Sequence, residues 1–455
     1  MNSKLVMLVF ILTFHVLPVT QGSLFGQGVL QSYIDQGLGN NLVMKEKNIS
    51  LQQSLLALKE ARSWFYPSAD FLGDYTWAEG GRSITFPVGD LLNPVYSTLN
   101  QLTGTQKFPQ IPNAEFQLMP TNFYDARVRI AYPLVNTDLA YNYKIKKQEV
   151  ILANYEIETY KQELIKDIQT SYYRYCLATD ASAIYQSALG LVNKNLEVNR
   201  SLLRNGKGLP ANVLRAESEA EVIGSRLREA EDQRKNARSW FNFLLNRQPA
   251  DSVVYETLPM PEDLAMAVSE TPDIAGRSEL RELATASTIR QTELSMHRSY
   301  AVPKVNTFVD LGSQSSDWQF NDHSRYFLAG LQMTVPIFNG LRNRVKISKN
   351  KLEIDMLAVQ TENAGKQFTV SALVARNNLG TAVSNLSSSE KQYQSARAYF
   401  SLIEKAYSEG MNSLIEFMDA RNQYTASEIQ VRLNRYKVLS AYAELKRQTS
   451  ISTIQ

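Results

Sequence analysis

The chain has 455 residues, 44% of them apolar, and 48 Lys plus Arg against 45 Asp plus Glu leave a net charge of +3. A balance this even gives no electrostatic footprint for nucleic acid, and the length allows a sizeable core. One cysteine, Cys176, is too few for a disulfide framework or a thiolate metal site.

Enzymatic chemistry finds little support in the motifs. Of three histidines, His15 falls in an N-terminal leader, and His297 and His323 lack the carboxylate spacing of a zinc site. There is no phosphate-cradling Gly-Lys-Ser/Thr loop and no nucleophile elbow, and Gly26-Gln27-Gly28 has no strand before it. Neither an enzyme nor a cofactor is expected.

Residues 1–22 read as a signal peptide, with Lys4, an apolar stretch from Leu5 to Leu17, and Thr20-Gln21-Gly22 near the cleavage point. No Cys follows the leader, so no lipid anchor is expected. No later stretch is long and apolar enough for a spanning helix, so membrane integration after export would use strands.

The mature chain repeats itself. Arg62-Ser63-Trp64-Phe65-Tyr66-Pro67 resembles Arg298-Ser299-Tyr300-Ala301-Val302-Pro303, and Ala131-Tyr132-Pro133-Leu134 resembles Thr334-Val335-Pro336-Ile337. Asn205-Gly206 recurs as Glu409-Gly410. Pro133 stands 73 positions before Gly206, and Pro336 stands 74 before Gly410, a near-equality expected of duplicated units.

In chain order, the first repeat covers 23–248. Alternation of Phe71, Gly73, Tyr75 and Trp77 with Asp70, Leu72, Asp74 and Thr76 predicts a strand over 67–77, followed by a polar, Pro-rich connection from Ala78 to Thr121. A second strand is expected over 122–133, where Val128, Ile130 and Tyr132 alternate with Arg127, Arg129 and Ala131. Then come a proline-free helix over 137–204, about 100 Å long at about 1.5 Å per residue, and a return helix over 209–245. The inter-repeat segment 249–279 holds a run of prolines and the strand-like Val253-Val254-Tyr255.

The second repeat covers 280–455, with strands over 303–313 and 325–336 and helices over 341–408 and 413–447. Phe417, Tyr424, Val431, Val438 and Leu445 recur every seventh residue, and Ala216, Ile223, Ala230, Ala237 and Leu244 match them in the first repeat, as coiled-coil packing requires. Trp64, Phe65, Tyr66, Trp77, Phe123, Tyr124, Tyr300 and Tyr326 cluster at the strand ends, where rings favour a membrane interface. Four strands cannot close a barrel, and unpaired edges cannot face lipid, so a pore would be shared between chains. This physics does not fix the number of copies.

The leader, the two repeats of helix, strand, strand, long helix and return helix, Pro-Leu-Val-Asn at 133–136 and Pro-Ile-Phe-Asn-Gly at 336–340 together resemble the TolC-type outer membrane efflux protein family over the whole mature chain. The resemblance implies a mainly α fold with a transmembrane β-barrel: a homotrimer with a shared twelve-stranded barrel in outer membrane lipid and a periplasmic coiled-coil helical tunnel. It implies a passive efflux duct that docks to a periplasmic adaptor (membrane fusion) protein and an inner-membrane pump. A duct for type I protein or peptide secretion, or an exported soluble coiled-coil scaffold, are the alternatives.

By the same resemblance, Tyr407-Ser408-Glu409-Gly410 followed by Glu416 and Asp419 implies an acidic constriction at the periplasmic gate. Ser413, Glu416 and Asp419 share one helix face. The helix-tip turns fall at Gly206 and Gly410. Asn212 and Arg215 hold the corresponding first-repeat positions, so Tyr407 to Asn212 and Arg215 to a neighbouring carboxylate are the candidate gate locks.

Overall fold

A computed structural model describes residues 28–119 and 121–449; the signal peptide expected over 1–22 lies outside the described residues. Nine helices and six strands follow in chain order among them: α1 (Val29–Asn40), α2 (Leu42–Ser63), β1 (Ser68–Thr76), β2 (Ser83–Phe86), α3 (Val88–Thr103), β3 (Ala114–Gln117), β4 (Phe123–Val135), α4 (Thr137–Arg204), α5 (Pro210–Leu244), α6 (Leu264–Ser269), α7 (Ser278–Arg298), β5 (Lys304–Ser316), β6 (Arg325–Thr334), α8 (Arg342–Ser408) and α9 (Leu414–Gln448).

The two long helices start differently. Asn136 caps α4, its side chain accepting from the backbone of Asp138 (3.1 Å) and Leu139 (3.5 Å). α8 instead follows Gly340 and Leu341, both left-handed. Each long helix is then flanked by shorter ones placed end to end. α2 and α5 pack on α4, α9 lies against both α4 and α8, and α7 bridges the same two helices nearer the sheet.

At the two splices between short helices, one side chain or a small cluster replaces a peptide link. Asn41 caps α2 by accepting from Val43 (2.9 Å) and Met44 (3.1 Å), while its amide donates to the carbonyl of Leu244 (2.9 Å) at the end of α5. Between α9 and α7, the Arg277 guanidinium donates to the Gln448 carbonyl (3.1 Å) and to its side chain (2.6 Å). Arg277 also pairs with Glu279, as does Arg447 (2.7 Å), so a cation meets the negative end of α9 and an anion the positive end of α7.

β1, β4, β5 and β6 form one antiparallel sheet in that order, leaving β1 and β6 as its edges. Cross-strand register aligns Phe71, Val128, Leu311 and Phe327 in one row and Ala69, Ile130, Val309 and Ala329 in the next. These rows share one face and are open, Phe71 being 73% and Phe327 68% exposed. The other face carries Asp70, Arg129, Asp310 and Leu328 in one row and Leu72, Arg127, Gly312 and Tyr326 in another. Arg129 donates through two nitrogens to Asp310 (2.7 Å each), and Arg127 pairs with Asp125 and Asp74. One face is thus apolar and the other ion-paired, as a barrel wall between lipid and water needs. Tyr326, expected among the interfacial rings, lies instead on the polar face, its hydroxyl donating to Asp125 (2.8 Å).

Two expectations are corrected. The connection from Ala78 to Thr121 is not a plain loop, because it holds β2, β3 and α3. Apolar residues at three- and four-residue spacing from Val88 to Leu102 carry the helix despite Pro94. The strand-like Val253-Val254-Tyr255 belongs to no sheet. Its backbone bonds to tyrosines instead: the hydroxyls of Tyr172 and Tyr175 donate to the carbonyls of Val254 (2.9 Å) and Val253 (3.0 Å), and the Val254 amide donates to the Tyr33 hydroxyl (2.9 Å). Tyrosine hydroxyls do the work of a neighbouring strand.

Those tyrosines belong to the largest core, where Tyr33, Leu164, Ile168, Tyr172, Phe241 and Leu245 meet midway along α4. Cys176 is fully buried in it, and burial pushes its thiol up to about 12, leaving it inert. Among the described residues no helix is long and apolar enough to cross a membrane.

Candidate functional site at the helix tips

Both helical hairpins turn in the same way far from the sheet. Gly206 and Gly410 are left-handed (φ 69° and 78°). The amide of Gly206 donates to Leu203 (3.0 Å) and that of Lys207 to Leu202 (2.9 Å); Gly410 to Tyr407 (3.0 Å) and Met411 to Ala406 (2.8 Å) repeat the pattern. This is the Schellman end, and only glycine adopts its left-handed residue without strain.

Beyond the turn the hairpins diverge. α5 opens with Pro210 at its first turn, and α9 opens with a capping box. The Ser413 hydroxyl accepts from the Glu416 amide (3.3 Å), and the Glu416 carboxylate accepts from the Ser413 backbone (2.9 Å) and hydroxyl (3.1 Å). The backbone N–H of Ser413, with its hydroxyl, holds Glu416 below the usual carboxylate range, so it stays ionised. Asp419 lies one turn further along the same exposed face and, among the described residues, accepts only a long bond from Gln423 (3.3 Å). Glu416 is therefore partly committed to the helix start, while Asp419 is the more available charge.

Behind that face, a column of rings fills the seam between α8 and α9. Tyr393, Phe400 and Tyr407 recur every seven residues on α8 and interleave with Phe417 and Tyr424 on α9. Tyr407 stacks on Phe417 (4.7 Å between centroids), and Phe400 stacks on Tyr424 (5.5 Å, 9° between planes). The first hairpin fills the same seam with aliphatic residues: Leu196, Val213 and Ala216 near the tip, then Ala188, Val192 and Ile223.

Two bonds near the tips tie the hairpins together, and farther from the tips Tyr436 and Arg432 of α9 reach Asp180 of α4 while Arg447 reaches Glu163. Asn199 of α4 donates to the Tyr407 hydroxyl of α8 (3.1 Å). Arg421 of α9, 1% exposed, donates to Glu219 of α5 and to the Asn422 side chain (2.7 Å). Its Nε and Nη1 atoms find no partner among the described residues, and burial pulls its guanidinium below the ordinary value against the opposing pull of Glu219. Each bond reaches past an intervening helix.

Neither bond expected from sequence is among those that the described residues of one chain make. Tyr407 is bonded to Asn199, not to Asn212; the bond crosses from α4 to α8 past α9, which packs on both. Asn212 is half-buried and bonds through its backbone to Leu209 (3.0 Å), and Arg215 is exposed and makes no ion pair among the described residues. Glu219 and Arg421 went unnoticed, though a signal existed: Arg421 sits in register with Leu414, Phe417 and Met418, where a charge must be buried and paired.

Residues 274–449 match the family model Outer membrane efflux protein. The chain is 28% identical over 174 residues to the solvent efflux pump outer membrane protein SrpC of Pseudomonas putida, an alignment covering 37% of this chain and 34% of SrpC, so the match spans about a third of that relative. Among solved structures, the outer-membrane channel OprN is similar at TM-score 0.72 and 15% identity over 93% of this chain and 90% of that one. The Campylobacter jejuni outer membrane channel CmeC is similar at 0.73 and 14% over 94% and 87%. At such identities these two likenesses speak for the fold alone. With its duplicated hairpins and open apolar-faced sheet, the chain has the fold of these outer-membrane channels, and its second repeat is similar to the outer membrane efflux protein family.

Proposed function

We propose that this chain is the outer membrane channel subunit of a tripartite efflux system, a passive exit duct from the periplasm to the outside. The observation that carries the proposal is the sheet: four strands with apolar rows on one face, ion pairs on the other and both edges open, continuous with helices on the order of 100 Å long. An open edge in lipid leaves unpaired N–H and C=O groups, so β1 of one copy pairs with β6 of the next. Three copies give twelve strands and a water-filled lumen.

Copies must also meet along the helices. Val345, Leu352 and Val359 recur every seven residues on α8 and are 65%, 69% and 66% exposed, a coiled-coil seam without a partner among the described residues. A homotrimer closes this seam and the sheet together. The helices then form a periplasmic tunnel whose tips carry Glu416 and Asp419 inward as acidic rings, with Tyr407–Asn199 and Arg421–Glu219 holding the hairpins shut. Opening is separation of the tips, driven by a periplasmic adaptor and an inner-membrane pump.

Leu331→Lys tests the arrangement. Leu331 is 71% exposed on the apolar face, and a Lys near the bilayer midplane costs about 2 to 4 kcal/mol. The variant should lose most of its membrane-inserted, heat-resistant trimer; assembly at the unmodified level would sink the lipid-facing assignment.

A further inference from the structure

The excursion between β1 and β4 shows its apolar surface outward. On α3, Gly89, Asn93, Tyr96 and Asn100 form the face against which the loop's own return segment packs. Asn93 exchanges two hydrogen bonds with the backbone of Ile111 (both 2.9 Å), and Asn100 does the same with Phe108 (2.7 and 3.0 Å). A Cβ on Gly89 would stand 2.3 Å from the Ile111 carbonyl, which shows how closely that segment lies. The side left over carries Val88, Leu91, Leu92, Val95, Leu99 and Leu102, and Leu91 and Leu102 are 70% and 77% exposed. A helix that satisfies its polar face internally and leaves an apolar stripe open is built for a partner.

A second apolar patch lies on the same excursion. Ile84 and Phe116 face each other across β2 and β3, Phe86 packs edge-on against Phe116 (5.5 Å), and all three are exposed. A two-stranded sheet without a covering layer is marginal on its own. α3 carries Asp90 and no Lys or Arg, so it lacks the cationic face by which interfacial helices hold a lipid surface. The excursion springs from β1, an open edge of the sheet, which in the trimer proposed above puts it beside the seam with the next copy.

We propose that the apolar stripe of α3 docks on the β2–β3 face of the neighbouring copy, head to tail, making a closed collar around the outer mouth of the duct. Two different, unpartnered patches on one segment are what a cyclic heterologous contact needs, and a threefold ring uses all of them. The inference rests on the trimeric reading above.

Two differently tagged copies, one carrying Leu91→Cys and the other Phe86→Cys, are co-expressed, purified in detergent, weighed by native mass spectrometry and treated with a short bismaleimide. Native Cys176 is buried and does not compete. The expected result is a trimeric mass and a gel shift from one chain to two, with both tags in the shifted band. Leu102→Cys with Ile84→Cys repeats the test should the first pair fold poorly. A trimeric mass without the shift at either pair overturns the collar alone, as does Leu91-to-Leu91 cross-linking in equal yield. Quenching of a fluorophore at Leu102→Cys by spin-labelled lipid would assign the stripe to the membrane and overturn it too. A monomeric mass overturns the trimeric reading and the collar with it.

Discussion

The two repeats share a plan and differ in how they hold it. Both have a long helix, a Schellman turn and a 35-residue return helix. The first repeat is joined by neutral means, with Asn41 splicing α5 to α2 and aliphatic side chains filling its tip. The second uses charge and rings: Arg277, Glu279 and Arg447 at the splice, stacked aromatics along the hairpin and carboxylates at its end. Burial differs in the same sense. α4 packs along its length against helices of both repeats, whereas α8 leaves a heptad stripe exposed. The first repeat therefore serves as frame, and the second is the part equipped to respond.

The largest effect should come from Arg421→Ala. It strands Glu219 without its partner inside the bundle, at a cost of about 3 to 5 kcal/mol. Chemical denaturation of the purified protein would measure it. Replacing both partners, Arg421→Met with Glu219→Leu, should recover most of that stability yet leave the hairpins unlatched, with raised channel open probability. If the double variant stays as closed as the parent, the bond is structural only and the two hairpins are less different than they look.

Next come the splices. Asn41→Ala removes the α2 cap and the link to α5, costing about 0.5 to 2 kcal/mol. The opposite splice should respond to acid. Burial would raise the Glu279 carboxyl, but Arg277 and Arg447 outweigh it and hold it at about 2. A folded-state value below the ordinary 4.5 means the stabilisation is complete above about pH 4.5 and is lost as pH falls toward 2. Hydrogen exchange should therefore quicken with acid at the α9–α7 junction while the α5–α2 junction holds. Equal quickening at both would erase the contrast.

The smallest effect should be Tyr407→Phe, which keeps the stacking on Phe417 and deletes one hydrogen bond, worth about 0.5 to 1.5 kcal/mol. Stability should barely move while the closed state becomes noisier in single-channel recordings. An unchanged record would remove Tyr407 from the latch.

Much of this was legible in the sequence because its signals are local. Proline-free stretches ending in Asn-Gly and Glu-Gly mark the long helices, and alternation marks the four sheet strands. Heptads mark the α5 and α9 seams, and the latter pointed to Phe417 and Tyr424. The rest depends on register between distant segments. Val253-Val254-Tyr255 has the composition of a strand, and nothing local says that Tyr33, Tyr172 and Tyr175 will take up its backbone. Tyr407 stands out in the sequence, but its partner is set by how α9 seats α8 beside α4, which no spacing within α8 reveals. The helix in the outer excursion was obscured by Pro94 and by asparagines that read as loop but bond to the returning chain.

Single-channel recording of the purified trimer in a planar bilayer tests the central claim most directly, with Glu416→Gln and Asp419→Asn beside the parent; Gln keeps the capping box while removing charge. The parent should give small, discrete, cation-preferring channels blocked by multivalent cations, and the variants should conduct more and lose that block, Asp419→Asn more than Glu416→Gln. Absence of channels from a well-folded parent would contradict the duct, and channels indifferent to both substitutions would contradict the acidic constriction.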